Sequence, residues 1–257
     1  MVNISLKNKK AIVTGGSQGI GKGIAIALAD AGADVLIQYH SAKDKALMAV
    51  DEIISMGKKS IAIHSDFTTD EAPELFFERA LKELSEVDIL VNCAAAYDRG
   101  PLLELTYQKF AWMQKVNIEV PFRLIQKFAH HIISRKTKGN IINISSISGI
   151  MPSTTSCLNS CSKAGLNMLT RCAALELAEH QIRVNGIAPG TTETESNLPY
   201  IKQDPSAWQH MIENIPLKRV GYPKDIAALA VFLASDVSDW ITGVTIPCDG
   251  GKTIGWL

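Results

Sequence analysis

The chain has no excess of charge, no long apolar run, no paired-cysteine pattern and few aromatics, and each shortage closes off a class of function. Lys and Arg number 26 against 26 Asp and Glu, for a formal net charge of zero, so the basic surplus of a generic nucleic-acid binder is missing. No uninterrupted apolar stretch approaches the ~20 residues that a membrane-crossing helix needs. Met1 to Lys10 is polar and basic and runs directly into an apolar segment, without the apolar core of a signal peptide. A cytoplasmic protein is expected. The five cysteines, Cys93, Cys157, Cys161, Cys172 and Cys248, are odd in number and scattered, which is no disulfide framework. Cys157 and Cys161 share a helix face at i, i+4, but no further Cys/His pair completes the ligand set of a structural zinc. No metal is expected.

What is present is length and rhythm. At 257 residues and 46% hydrophobic the chain can bury the core of a large domain. Short Val- and Ile-rich runs occupy Ala11–Thr14, Asp34–Tyr39, Ser60–His64, Asp88–Cys93, Asn140–Ser145, Arg183–Ala188 and Val244–Cys248. They are apolar throughout, without polar alternation, as in strands buried on both faces of a parallel sheet. Amphipathic stretches separate them, with Leu47, Val50 and Ile54, or Phe77, Leu81 and Leu84, at helical spacing. β-α alternation with right-handed crossovers implies an α/β, doubly wound sheet of about seven strands in one domain over 1–257. Residues 191–220 break the rhythm with Pro199, Pro205 and Pro216 among Tyr200, Trp208 and Met211. Too long for a plain connection, this insertion is expected to form a lid over the strand carboxyl ends, with Trp208, Met211 and Ile212 as an apolar wall.

The first strand runs into Thr14-Gly15-Gly16-Ser17-Gln18-Gly19-Ile20-Gly21 and then into Ile24 to Ala29, a helical segment. Glycines there permit a tight turn and close backbone approach to a pyrophosphate, and the helix N-terminus offers unpaired N–H groups and its positive dipole end. At these residues the chain resembles the short-chain dehydrogenase/reductase family, from about Lys7 to Gly251, and feels nearest to its glucose dehydrogenase and 3-oxoacyl-carrier-protein reductase branch. The resemblance implies a Rossmann-type fold, a nicotinamide cofactor, a small carbonyl or alcohol substrate, and a homo-oligomer, commonly a tetramer built on helices near Glu119–Arg135 and Asn159–Glu179. It implies cofactor contacts at Gly15, Ser17, Gln18, Gly19, Ile20 and Gly21, at Asp66 with Phe67, at Asn92 and Ala94, and at Pro189, Gly190, Thr192 and Thr194. It further implies a catalytic Ser146, a catalytic Lys163 that also holds cofactor, and Asn117 as a structural and proton-relay residue. The family's Asn-Asn-Ala-Gly stretch reads Asn92-Cys93-Ala94-Ala95 here, with alanine in place of the glycine. Asp249-Gly250-Gly251 resembles its C-terminal turn. Members that prefer NAD usually end the second strand in a carboxylate for the ribose hydroxyl; here stand Tyr39, His40 and Ser41, with Lys43, Lys45 and Lys22 nearby. NADP(H) is expected.

One family residue is absent. A tyrosine four positions before the lysine serves the family as general acid/base, one helical turn away, so that the ammonium lowers the phenol pKa from about 10. In this chain that position is Asn159, and no tyrosine occurs between Cys157 and Lys163. A carboxamide donates a hydrogen bond but gives up no proton near neutral pH. The substitutes available are Lys163, a tyrosine from elsewhere such as Tyr97 or Tyr200, or the thiols of Cys157 and Cys161. Two functions therefore stay open: an oxidoreductase with altered proton transfer, or a non-catalytic nucleotide-binding protein (pseudoenzyme, sensor or oligomer partner) or inactivated variant. The altered neighbours Ala95 and Cys157 to Cys161 favour natural drift over a single change.

Overall fold

The computed structural model describes residues 4–195, 197–198 and 203–255. Its centre is one seven-stranded, all-parallel sheet. The strands are β1 (Lys10–Val13), β2 (Asp34–Tyr39), β3 (Ser60–His64), β4 (Ile89–Asn92), β5 (Gly139–Ile144), β6 (Ile182–Pro189) and β7 (Thr245–Cys248), in spatial order β3-β2-β1-β4-β5-β6-β7. All seven expected runs are strands, with ends shifted by a residue or so because a strand's last hydrogen bond depends on its neighbour. The helices are α1 (Gly19–Asp30), α2 (Lys43–Ser55), α3 (Ala72–Leu84), α4 (Tyr107–Gln114), α5 (Val120–Arg135), α6 (Cys157–Leu177), α7 (Pro205–Glu213) and α8 (Pro223–Ala234). None among the described residues is long and apolar enough to cross a membrane.

Alternate side chains of each strand feed opposite faces, as the two-residue period requires. Ala11, Val13, Val35, Ile37, Val91, Ile142 and Ile144 pack with Ile24 and Leu28 of α1 and Ala227 and Ala230 of α8. Ile12, Leu36, Leu90 and Ile141, the residues between, pack on the other face with Phe76, Phe77 and Phe128. That double burial is why the runs carry no polar alternation. Of the α6 stripe, Leu169, Ala173 and Leu177 pack against this second core, and Leu166 is buried. Exposed apolar side chains on the same helix pair are others: Phe122 and Ile133 on α5, Met168 and Leu175 on α6.

Strand order places the site. From β1 the chain winds outward through β2 and β3, then returns to lay β4 on the other side of β1. The connections leaving β1 and β4 diverge, and a crevice opens at their carboxyl ends.

Candidate active site

A cleft of about 900 Å³ lies over that switch point. At its floor the turn after β1 takes positive φ at Gly15 (65°) and Gly19 (55°), a region costly for any residue with a Cβ. Gly21 has a second reason to be glycine. A Cβ there would stand 2.1 Å from the Gly15 carbonyl oxygen. The turn is pinned from two sides: Gln38 accepts from the Gly15 N–H at 2.9 Å, and the Thr14 hydroxyl accepts from the N–H groups of Cys93 and Ala94 at 2.9 and 3.0 Å. The N-terminus of α1 holds an anion already. Glu195, from the segment after β6, accepts the Gly19 N–H on Oε2 at 3.0 Å. This puts a negative charge at the positive end of the α1 dipole.

Ser17, Gln18, Gly19, Ile20 and Gly21 line one end of the cleft with Tyr39, His40, Ser41, Asp66 and Phe67. Asp66 is held below the usual carboxylate range, first by the Thr68 backbone N–H and then by the Thr68 hydroxyl. His40 Nε2 lies 3.6 Å from its other oxygen. Of the expected cations, Lys45 donates to Gln18 Oε1 at 2.8 Å, whereas Lys22 is paired with Glu52 at 2.9 Å. Ala94, Pro189, Gly190, Thr192 and Thr194 line the cleft further along.

At the centre are Ser146, Asn159 and Lys163. Ser146 follows β5, and its Oγ accepts from the Ser148 N–H at 3.1 Å; among the described residues nothing accepts its own proton. Asn159 and Lys163 stand one turn apart on α6 and are both buried. Lys163 Nζ donates to the Ile144 carbonyl at 2.8 Å. Burial pulls its pKa down from the ordinary lysine value to about 8, and pushes the nearby Cys93 thiol up to about 11.

Two expected site residues are not brought to the cleft wall. Asn92 turns into the sheet, where its Nδ2 donates to Asn143 Oδ1 at 2.8 Å, the first link of a buried chain through Thr170 to the Leu166 carbonyl. Asn117 lies in a π-helical turn and clamps the loop after β4 to α6. Its Oδ1 accepts from the Ala96 N–H at 2.8 Å, and its Nδ2 donates to the Ala96 carbonyl and to Ser162 Oγ, each at 3.0 Å. Its carboxamide is thus spent on positioning. Of the possible proton donors, Tyr97 lines the cleft and Cys157 and Cys161 do not; Pro199 and Tyr200 lie outside the described residues. Of the expected apolar wall, Met211 lines the cleft and Trp208 and Ile212 do not. Gln38, Glu195, Trp112 and Lys252 complete the site without having been anticipated. Gln38 alone left a trace in the sequence, as a polar residue inside a buried strand.

Residues 15–253 match the family model described as enoyl-(acyl carrier protein) reductase. The chain belongs to the short-chain dehydrogenase/reductase family. It is 34% identical to glucose 1-dehydrogenase 2 of Bacillus subtilis, over 97% of this chain and 96% of that one. It is 38% identical to the 3-oxoacyl-(acyl-carrier-protein) reductase of Staphylococcus epidermidis, over 95% and 98%. Among solved structures it resembles the NADP-bound 3-oxoacyl-(acyl-carrier-protein) reductase of Agrobacterium tumefaciens, with 30% identity, a TM-score of 0.91, and 96% and 95% of the two chains covered.

Proposed function

We propose that this protein is an NADP(H)-dependent oxidoreductase of a carbonyl/alcohol pair, acting in the cytoplasm with proton transfer altered at Asn159. The observation that carries the proposal is one cleft joining an anion-ready glycine turn to Ser146 and Lys163. When bound, the nicotinamide supplies or accepts the hydride. Gly15 to Gly21 cradle the pyrophosphate on backbone N–H groups and the α1 dipole. The Ser146 hydroxyl donates to the substrate oxygen, and the Asn159 carboxamide adds a second donor without a transferable proton. Lys163, whose lowered pKa lets it release a proton closer to neutral pH than an ordinary lysine, holds it at Nζ. A carboxylate ion at the end of β2 would repel a 2′-phosphate, and this position is Tyr39 instead. The five unpaired cysteines suit a reducing compartment, and the exposed apolar side chains of α5 and α6 suit a homotetramer. The lid role of 191–220 rests on Glu195 and Met211 reaching the cleft.

Asn159 itself favours a second function, nucleotide binding without turnover. Steady-state NADPH oxidation against a carbonyl panel separates the two: turnover establishes the enzyme, tight binding with no turnover establishes the second function, and no NADPH binding sinks both. Two variants test the nucleotide site. Lys45→Ala lowers the preference for NADPH over NADH by about tenfold, the worth of one charge-assisted hydrogen bond, read from paired Kd values. Glu195→Gln tightens NADPH binding by on the order of fivefold, because the competing anion at the helix end loses its charge; weaker binding would show that Glu195 supports the nucleotide instead.

A further inference from the structure

Resting on the function proposed above, a further property of the same cleft can be drawn from its charges. Two cations face it away from the nucleotide end, Arg99 from the loop after β4 and Lys252 from the turn after β7. In strand order β4 and β7 enclose β5 and β6, so these side chains come from either side of Ser146. Neither forms an ion pair among the described residues. Asp98, the carboxylate beside Arg99, is taken by Lys109 at 2.8 Å. Asp249, near Lys252 in sequence, spends both oxygens on the N–H groups of Gly251 and Thr253. Of the carboxylates at the cleft, Asp66 lies at the β3 end and Glu195 is held at the Gly19 N–H.

Both cations are held in place by single neutral contacts that leave their other N–H groups uncommitted. Lys252 Nζ donates to the Asn214 carbonyl at 2.9 Å. Arg99 donates to Thr155 Oγ1 at 2.9 Å, and the adjoining Gly100 N–H donates to the Thr155 carbonyl, also at 2.9 Å. Thr155 has a φ of 61°, unfavourable for a β-branched residue. Strain of this kind collects where a side chain must be aimed, and here it braces the loop carrying Arg99 against the loop after β5.

We propose that the substrate carries an oxyanion, a carboxylate or phosphate set apart from its reacting carbonyl, and that Arg99 and Lys252 bind it. A guanidinium fork matches either group in two parallel hydrogen bonds, and the Lys252 ammonium completes the neutralisation.

The test is equilibrium binding to the NADPH-loaded protein, read by nucleotide fluorescence, so that turnover is not required. The probes are an oxo acid with its uncharged amide and a phosphorylated ketone with its parent hydroxyketone, at low and high salt. Binding of NADPH is measured first, and its failure removes the underlying function. With NADPH bound, one of the two charged probes binds at least about tenfold more tightly than its neutral partner, and the better of them identifies the oxyanion. Added salt reduces the difference. Arg99→Gln and Lys252→Gln each erase most of the discrimination while Arg99→Lys retains part of it, and NADPH affinity reports that each variant is folded. Equal binding of charged and neutral probes, or variants that weaken both alike, would overturn this inference and leave the nucleotide site standing.

Discussion

Asn159→Tyr raises carbonyl turnover by roughly 10²–10⁴, the usual worth of a positioned general acid. Asn159 is buried, faces the cleft and stands one turn before Lys163 on α6. A tyrosine there places its hydroxyl over the same cleft that Ser146 addresses, beside an ammonium that favours the phenolate. The parent protein offers a carboxamide, which can orient a carbonyl but supplies no proton. Proton delivery then falls to Lys163 or to solvent. The measurement is kcat for NADPH oxidation as a function of pH in parent and variant. A new ionisation accompanies the gain, since the phenol titrates where the amide does not. Unchanged kcat and an unchanged profile would mean that proton transfer does not limit the parent, and the proposed alteration would fall.

Lys163→Met makes the fold more stable while removing the one basic group at the centre of the site. Among the described residues Lys163 is buried without a carboxylate partner, and burial lowers its pKa from 10.5 to about 8. Below pH 8 the ammonium is charged in the folded and unfolded chain alike, and burial costs about 3 kcal/mol by linkage. Between pH 8 and 10.5 the folded chain carries a neutral amine while the unfolded chain still binds the proton. Stability contributed by this group therefore rises with pH through that window and is level above it. Methionine avoids the charge penalty but gives up the hydrogen bond to Ile144, worth about 1 kcal/mol, for a net gain of about 2 kcal/mol at pH 7. In a chain of 257 residues that corresponds to roughly 4–8 °C in Tm. Thermal unfolding of parent and variant at pH 7 and pH 10 checks both parts, because most of the penalty is relieved by pH 10 and the variant's advantage disappears there. A variant that is less stable at pH 7 would show that the buried ammonium is compensated by the fold and not tolerated for function. This prediction is independent of substrate, since burying a charge is a cost that function alone would explain.

Local signals made much of the molecule legible. The runs at Asp34–Tyr39 and Ser60–His64 became β2 and β3 residue for residue, because short runs rich in β-branched and apolar residues mark a strand. The glycine turn was readable because positive φ and close approach leave few alternatives to glycine. Asn159 was readable because one helical turn is a fixed spacing. Less legible was where polar side chains would point. Asn92 and Asn117 have the same kind of neighbours in sequence as Ser146, yet they are drawn into buried networks with Asn143 and Ser162. A carboxamide buried in a sheet must find a partner, and the partner is supplied by another element.

The sequence by itself determined the seven strands, the phosphate turn and the absence of a tyrosine, since each depends on residues a few positions apart. Only the tertiary structure decided that Glu195 reaches the Gly19 N–H from 176 positions away, that Arg99 and Lys252 share a cleft, and that Lys163 lies, among the described residues, without a carboxylate beside it. These depend on which strand ends the winding of the chain brings together and on which side chains are left unpaired there. Neither leaves a period or a spacing in the chain to be read.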